Sequence, residues 1–193
     1  MVNPTEYIRT KRMDRGFTLV ELMVVIGLLV TLGVLTTSFD TANWMANYRL
    51  RGAARELYME MQKTRMEAIK QDKVMAIFFD WGNNLYRVYS DSGDGDFVLT
   101  PGDNVVARTV SLAQYGNGIG FGRGSSTSDA PDDNVAPGDS VTFAGDIVQF
   151  KPNGLATAGG YCYLTNDQNG SYAVGTLISG IVRMRKWSGT GWQ

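Results

Sequence analysis

Residues 17–35 form a run of nineteen residues in which Glu21 carries the only charge. A helix of this length can cross the roughly 30 Å hydrocarbon core of a bilayer. Residues 1–16 before it are polar and carry four basic and two acidic side chains. Since basic flanks stay in the cytoplasm, the pattern predicts a single membrane span with the rest of the chain on the outer side.

Three interpretations of this segment compete. A secretory signal peptide is disfavoured, because the apolar run is too long and no small-residue cleavage site follows it promptly. A plain single-span anchor explains the hydrophobicity but leaves Glu21 unexplained, because a lone carboxylate in lipid costs roughly 3 kcal/mol. The third interpretation, a prepilin signal, depends on the residues at the junction between the polar and apolar segments.

The junction reads Arg15-Gly16-Phe17-Thr18-Leu19-Val20-Glu21. It resembles the cleavage and methylation motif of type IV pilins and type II secretion pseudopilins. The resemblance implies that a prepilin peptidase cuts between Gly16 and Phe17 on the cytoplasmic side. It also implies that the new amino terminus of Phe17 is N-methylated. Glu21 then stands at the fifth mature position, where these families carry a glutamate.

A carboxylate in an apolar environment needs a partner or a proton. In a filament, the amino group of Phe17 from a neighbouring subunit can pair with Glu21 and set the register between subunits. Alternatively, Glu21 pairs with its own Phe17 amine one turn back, or stays protonated. We favour the role between subunits.

The residues that follow predict a second, amphipathic part of the same helix. No proline lies between Pro4 and Pro101, and only four of the 23 glycines precede residue 80. From residue 39 to residue 69, apolar residues recur at spacings of three and four, which predicts a helix lying on a folded head. Met61 and Met66 belong to this stripe as core residues. The whole helix, from residue 17 to about residue 71, would be about 80 Å long.

Beyond residue 73 the pattern changes to short strands separated by turns rich in glycine. A hairpin is predicted around the turn at residues 81–84. Residues 116–139 are predicted to form a long loop. The predicted strands are residues 74–79, 85–89, 96–100, 105–111, 140–143, 147–150, 160–165, 172–178 and 181–187.

The order of features in this part of the chain resembles the GspH/FimT class of minor pilins and pseudopilins. A helix and a hairpin are followed by Phe150-Lys151-Pro152-Asn153-Gly154-Leu155 and then by two or three closing strands around Ser179-Gly180-Ile181-Val182-Arg183. The resemblance implies an α+β, pilin-like fold in which a long N-terminal helix packs on an antiparallel, β-sandwich-like head. The expected division is a leader at 1–16, a transmembrane and filament-core helix at 17–39, an amphipathic helix at 40–72 and a β-rich head at 73–193.

The resemblance implies a structural function rather than an enzymatic one. The chain would prime or cap a type IV pilus or a type II secretion pseudopilus, from the bacterial inner membrane with its head in the periplasm. Its expected partners are other pilins or pseudopilins through the N-terminal helices, the prepilin peptidase and inner-membrane lipid. Two alternatives are a FimT-like minor pilin that binds DNA during transformation and a major pilin of the shaft.

Other candidate sites are weaker. Arg183, Arg185 and Lys186 form a basic cluster that could contact phosphates, which is the basis of the DNA alternative. Asp91, Asp94 and Asp96 concentrate carboxylates and suggest calcium, but their spacing does not fit an EF-hand loop. We therefore favour a solvated turn and expect no metal there.

No catalytic constellation stands out in the sequence. The chain has no histidine, which excludes imidazole metal ligands and catalysis by Ser-His or Cys-His pairs. No cofactor is expected, because the glycines at 116–122 lack the strand and helix of a dinucleotide site. The single cysteine, Cys162, is interpreted as a buried small apolar residue.

Overall fold

A computed structural model describes residues 17–36, 41–91, 104–116, 118–131, 133 and 139–193. The chain divides into two compact units, residues 1–40 and residues 41–193. The predicted strand at 96–100, the leader at 1–16 and residues 37–40 of the predicted long helix lie outside the described residues.

In the first unit, helix α1 spans Leu19–Thr36. The helix begins where it does because the Thr18 hydroxyl accepts a hydrogen bond from the backbone N–H of Glu21 at 3.1 Å, which is an N-cap. Glu21 lies in the first turn, where a carboxylate interacts favourably with the positive end of the helix dipole. Within the part of the chain that the structure describes, no helix meets the length and apolarity needed to cross a membrane.

In the second unit, helix α2 spans Thr41–Gln71 and buries one face. The helix stops after Gln71 because Asp72 adopts a left-handed conformation with φ 52°. The N–H of Lys73 then donates to the carbonyl of Ala68 at 3.2 Å, closing the last turn. The buried positions repeat at three and four residues and are Leu50, Ala53, Ala54, Leu57, Met61, Thr64 and Ala68.

The predicted apolar stripe of α2 is right at Met61 but wrong at Met66. Met61 is fully buried, whereas Met66 is 63% exposed and Ile69 is also exposed. The buried face continues from Met61 to Thr64 and Ala68, because those positions follow the 3.6-residue period of the helix. Thr64 is therefore buried despite its hydroxyl. The prediction from apolar residue type alone was wrong about which residues are buried at the C-terminal end of the helix.

One sheet of the head consists of β1 (Met75–Asp80), β2 (Leu85–Ser90), β3 (Val105–Ser111) and β5 (Ile147–Phe150), in the order β3-β2-β1-β5. The pairings are antiparallel. The hairpin between β1 and β2 is confirmed. It turns through a 3₁₀ segment at Trp81–Asn83, where the Asp80 carboxylate accepts from the N–H of Asn83 and Asn84 takes a left-handed φ of 53°.

The second sheet consists of β4 (Gly120–Phe121), β6 (Gly160–Thr165), β7 (Ser171–Thr176) and β8 (Val182–Lys186), in the order β4-β6-β7-β8. Its pairings are also antiparallel. The short strand β4 lies within the stretch predicted as loop. The predicted strand at 140–143 is wrong, because only Val141 forms a bridge, to Cys162. The hydroxyl of Thr142 accepts from the N–H of Tyr161 at 2.8 Å, so a side chain supplies part of the ladder there.

Helix α2 and the inner faces of both sheets enclose one apolar core. Leu57 and Met61 of the helix belong to the same core as aromatic residues of the head, among which Phe79 and Phe143 stack with ring centroids 5.7 Å apart. This arrangement confirms the α+β fold class with a β-sandwich-like head. The core supports the head through apolar burial, which is worth roughly 25 cal/mol per Å².

The side chain of Cys162 lies in this core and is fully buried. Burial raises the pKa of the Cys162 thiol well above its ordinary value, because the thiolate would lose its hydration. We expect the folded chain to react with a thiol reagent such as iodoacetamide at least about a thousandfold more slowly than the unfolded chain, since labelling requires unfolding. Mass spectrometry of labelled protein with and without urea measures the ratio. Equal rates in both conditions would contradict the burial.

Candidate functional site

The predicted assembly site comprises Phe17 and Glu21, both of which are exposed in the first unit. In the uncut chain the nitrogen of Phe17 is an amide and carries no charge. A pairing with the Glu21 carboxylate therefore requires cleavage after residue 16, which lies outside the described residues. The geometry leaves Glu21 accessible to a partner from another chain.

The apolar side chains of α1 are exposed on every side of the helix from Leu19 to Leu32. Within that range their exposed fractions run from 45% at Val25 to 71% at Leu19, and Phe17, just before the helix, is 83% exposed. A helix that is apolar on every side is found in lipid or among other helices rather than in water. The exposed large apolar residues of this segment are Phe17, Leu19, Val20, Leu22, Met23, Val24, Val25, Ile26, Leu28, Leu29, Val30 and Leu32.

A second candidate site is a groove between α2 and β8, here called the basic groove. It has a volume of 490 Å³ and is lined by Arg55, Tyr58, Val182, Arg183, Met184 and Arg185. Alternate residues of a strand point to the same face, so β8 places Arg183 and Arg185 together and turns Lys186 the other way. The sequence pattern identified the two arginines of β8 but missed Arg55, because nothing local links residues so far apart in the chain.

A smaller notch adjoins the basic groove on α2. It has a volume of 230 Å³, is lined by Tyr48, Arg51, Gly52 and Arg55, and shares Arg55 with the groove. A Cβ added at Gly52 would meet no atom within 4 Å. A glycine inside a helix costs about 1 kcal/mol relative to alanine. No neighbouring atom of the head therefore requires a glycine rather than an alanine at position 52.

The opposite flank of α2 carries acidic residues that are paired within the head. The guanidinium of Arg108 in β3 donates to both carboxylate oxygens of Glu67, at 3.2 and 2.9 Å, and also to Glu60. Burial alone would lower the pKa of Arg108, but the hydrogen bonds to Glu67 and Glu60 outweigh it and raise that pKa. These two glutamates therefore serve to hold β3 against the helix.

The three carboxylates considered above as a weak calcium candidate are only partly described. Asp91 is 3% exposed and lies at a 610 Å³ cleft that also contains Lys73 and Lys151. Asp94 and Asp96 lie outside the described residues. Among the residues that the structure describes, no group of three or more Cys, Asp or Glu side chains is placed to hold a metal ion.

Comparison with known proteins gives two matches by family. The profile of the prokaryotic N-terminal methylation motif matches residues 11–37, and that of the type II transport protein GspH matches residues 53–180. The first covers the predicted cleavage site, Glu21 and α1. The second covers most of α2 and the head as far as the turn before β8.

Solved structures with a similar fold include two minor filament subunits. The minor pseudopilin EpsH of the Vibrio cholerae type 2 secretion system is 13% identical, with a TM-score of 0.47, and the match covers 72% of this chain and 97% of that one. The type IV minor pilin FimU of Pseudomonas aeruginosa is 15% identical, with a TM-score of 0.45, covering 78% and 96%. No curated protein sequence matches the chain.

Proposed function

Because this chain belongs to the family of the type II transport protein GspH and is a minor pilin or pseudopilin, we propose that it primes or caps a filament after cleavage between Gly16 and Phe17. The family is one of structural subunits. The N-terminal segment at 17–35 would anchor the processed chain in the inner membrane, with the head in the periplasm, and then enter the filament.

The observation that carries this proposal is the exposure of α1. Its apolar side chains have no partner within the described residues of their own unit, so burial has to come from lipid first and from other subunits afterwards. Lipid and a bundle of apolar helices are similar solvents for such side chains. The transfer from membrane to filament is therefore nearly balanced in hydrophobic energy, and polar interactions decide it.

Glu21 is the polar group that would decide whether the helix stays in the membrane or enters the filament. In the membrane its lone carboxylate is unfavourable by roughly 3 kcal/mol unless it is protonated. In the filament, the positive amine of Phe17 from the next subunit would pair with it in a medium of low dielectric constant, where a charge pair is strong. The pair would favour the filament over the membrane and fix the axial register of the helices.

Replacement of Glu21 by leucine tests this mechanism. We expect the E21L chain to insert in the membrane and to be processed normally, while its incorporation into filaments falls at least about tenfold, as the loss of roughly 1.4 kcal/mol or more predicts. Quantitative immunoblotting of sheared filaments and of membranes gives both amounts.

Thr31 offers the matched control. Its hydroxyl donates to the carbonyl of Leu28 at 2.9 Å within α1, so Thr31→Leu removes a polar group but no charge. The T31L chain should enter filaments as the unmodified chain does. Normal incorporation of E21L, or equal losses for both variants, would exclude the charge pair.

DNA binding is a second candidate function, favoured by the basic groove. Arg55 adds a third arginine to the lining of the basic groove, and basic side chains are suited to contacts with phosphates. A mobility-shift assay with duplex DNA at 50 and 200 mM salt tests it, with Arg183 and Arg185 replaced by glutamine in the comparison variant. Binding that weakens steeply with salt and is lost in the variant would support it, and absence of binding at low salt would exclude it.

A further inference from the structure

A row of large apolar side chains runs along the side of α2 that is turned away from the core. Trp44, Tyr48, Met59, Met66 and Ile69 are each 49% to 66% exposed. Their spacings of 4, 11, 7 and 3 residues place them on one side of a helix with 3.6 residues per turn. We call this side the outer face of α2. The described part of the head leaves it uncovered, and an exposed apolar row of this kind marks a contact surface.

The charges on the outer face are all positive. Arg51, Arg55, Lys63 and Lys70 are exposed, and none of them forms an ion pair within the part of the chain that the structure describes. By the same helical period they lie among the apolar residues of the row. The outer face therefore combines apolar area with four cations that are available to a partner.

The acidic residues of α2 lie elsewhere on the helix. Glu56, Glu60 and Glu67 are half-buried, and Arg108 of β3 pairs with the last two. No described position of α2 that is exposed carries a carboxylate. Two copies of the outer face would therefore repel each other, which makes a second copy of this chain a poor occupant. The occupant must offer negative charge and an apolar layer together.

The smaller notch on α2 lies within the outer face. It is lined by Tyr48, Arg51, Gly52 and Arg55 and has a volume of 230 Å³. Gly52 contributes no side chain to it, and the head does not require a glycine there. Arginine side chains bind phosphate groups well, because the planar guanidinium offers several donors in a fixed arrangement. The notch thus suits a phosphate of a lipid headgroup.

The position of the outer face in the sequence favours lipid as the occupant. Trp44 lies nine residues beyond the end of the apolar run at 17–35, and nine residues reach at most about 32 Å even when fully extended. A chain anchored by that run therefore keeps Trp44 near the membrane surface at high effective concentration. The rings of Trp44 and Tyr48 stack with centroids 5.8 Å apart. These two residue types are enriched at the level of lipid headgroups.

We infer that the outer face of α2 binds the surface of the membrane, with Trp44 and Tyr48 among the headgroups and the four cations on anionic phospholipids. This inference rests on the proposed function, because it needs the N-terminal segment as the anchor. It assigns a second lipid contact to the helix that carries the head. The head then lies against the membrane until the subunit enters a filament, and anionic lipid strengthens that contact.

Quenching of tryptophan fluorescence by brominated phospholipids tests the inference, with one full chain in each lipid nanodisc. The discs contain either phosphatidylcholine alone or an equal mixture of phosphatidylcholine and phosphatidylglycerol. We expect the mixed discs to quench Trp44 at least about threefold more than the neutral discs, because the cations bind the anionic headgroups. W44F should lose this difference. W81F should keep it, since Trp81 is 64% exposed but lies in the turn after β1.

Charge variants test the cations of the outer face. In mixed discs, R51Q/R55Q should lower the ratio of lipid-bound to free Trp44 at least about tenfold, since each cation near an anionic surface contributes about fivefold. K151Q is the matched control, because this exposed lysine lies between β5 and β6. Gly52→Glu puts a carboxylate in the notch, and its Cβ meets nothing within 4 Å. G52E should lower the ratio at least about fivefold, and the uncharged G52Q much less.

Four results would overturn the inference. The first three are equal quenching in W44F and the unmodified chain, equal quenching in neutral and mixed discs, and R51Q/R55Q behaving as K151Q does. The fourth is a Trp44 that is shielded from aqueous acrylamide only when a disc holds several chains. That result would assign the outer face to a neighbouring subunit instead of lipid.

Flotation of the chain with vesicles separates this failure from that of the proposed function. If the chain floats but Trp44 is not quenched, the anchor stands and the lipid contact of the outer face is wrong. If Trp44 is quenched but the unmodified chain enters no filament, the lipid contact stands and the filament role is wrong. A chain that does not float would overturn both the anchor and the lipid contact.

Discussion

Replacement of Gly180 by alanine is expected to lower the free energy of unfolding of the head by about 3 kcal/mol or more. Gly180 has a φ of 76°, which alone disfavours alanine by roughly 1 kcal/mol or more. A Cβ at this position would lie 2.0 Å from the carbonyl oxygen of Gly154 and 2.8 Å from Nε of Arg65. Neither atom can move easily, because the Arg65 Nε–H donates to that same carbonyl at 2.8 Å.

This contact joins three parts of the head. Arg65 lies on α2, Gly154 lies between β5 and β6, and Gly180 lies in the turn between β7 and β8. The N–H of Ala156 also donates to the carbonyl of Ile178 at 3.0 Å, so the two turns are already bonded beside it. An added methyl group would have to separate all three parts.

Thermal unfolding of the full chain in detergent, followed by circular dichroism, measures the effect. We expect the midpoint for G180A to fall by about 10 °C, since about 1 kcal/mol corresponds to about 3 °C in a domain of this size. Gly191→Ala is the matched control, because its Cβ would meet nothing within 4 Å. Gly154→Ala should fall in between, since its nearest neighbours are the ends of the Ile69 and Arg65 side chains. A midpoint for G180A within about 2 °C of that for G191A would contradict the close contact.

The same region shows where prediction from sequence succeeds and where it stops. The segments around Gly154 and Gly180 carried the resemblance to a known class, but nothing in the pattern indicated that they touch. Residues 65 and 154 are 89 positions apart when they bond. The β1–β2 hairpin, by contrast, was predicted correctly because Asp80, Asn83 and Asn84 form it within a few residues.

Burial on α2 was predicted correctly in the middle of the helix and wrongly at its C-terminal end. Leu57 and Met61 are apolar and also lie on the face that meets the sheets, so residue type and helix period agree. At Thr64 and Met66 they disagree, and the period prevails because the face is fixed by the sheets beneath it. Only part of the lining of the basic groove could be predicted from the sequence. Arg183 and Arg185 were predicted as a cluster because they share one face of a strand, whereas Arg55 reaches the same groove only through tertiary packing.

Replacement of Gly16 by valine is expected to leave the chain uncut and to abolish its entry into filaments. The resemblance of the junction to the prepilin motif implies that the peptidase requires glycine before the cut. Without cleavage, the nitrogen of Phe17 remains an uncharged amide, whereas a free α-amino group has a pKa of about 8 and is mostly protonated at pH 7. The Glu21 carboxylate would then have no cation to meet, and the polar leader would remain attached to the apolar helix.

Intact-mass spectrometry of the membrane fraction measures processing directly. G16V should keep the full mass of 21.2 kDa, whereas the unmodified chain should lose the first sixteen residues and gain a methyl group. Gly27→Ala is the matched control, because this glycine lies in α1 and an added Cβ would meet nothing within 4 Å. G27A should be cut and incorporated normally.

The Gly16 and Glu21 variants together separate processing from assembly. E21L should be cut but not incorporated, whereas G16V should be neither cut nor incorporated. If G16V is cut, the cleavage position is wrong, and the amine that we pair with Glu21 does not begin at Phe17. If G16V stays uncut and still enters filaments, then a free amine is not needed, and the carboxylate of Glu21 must be neutralised by its own proton.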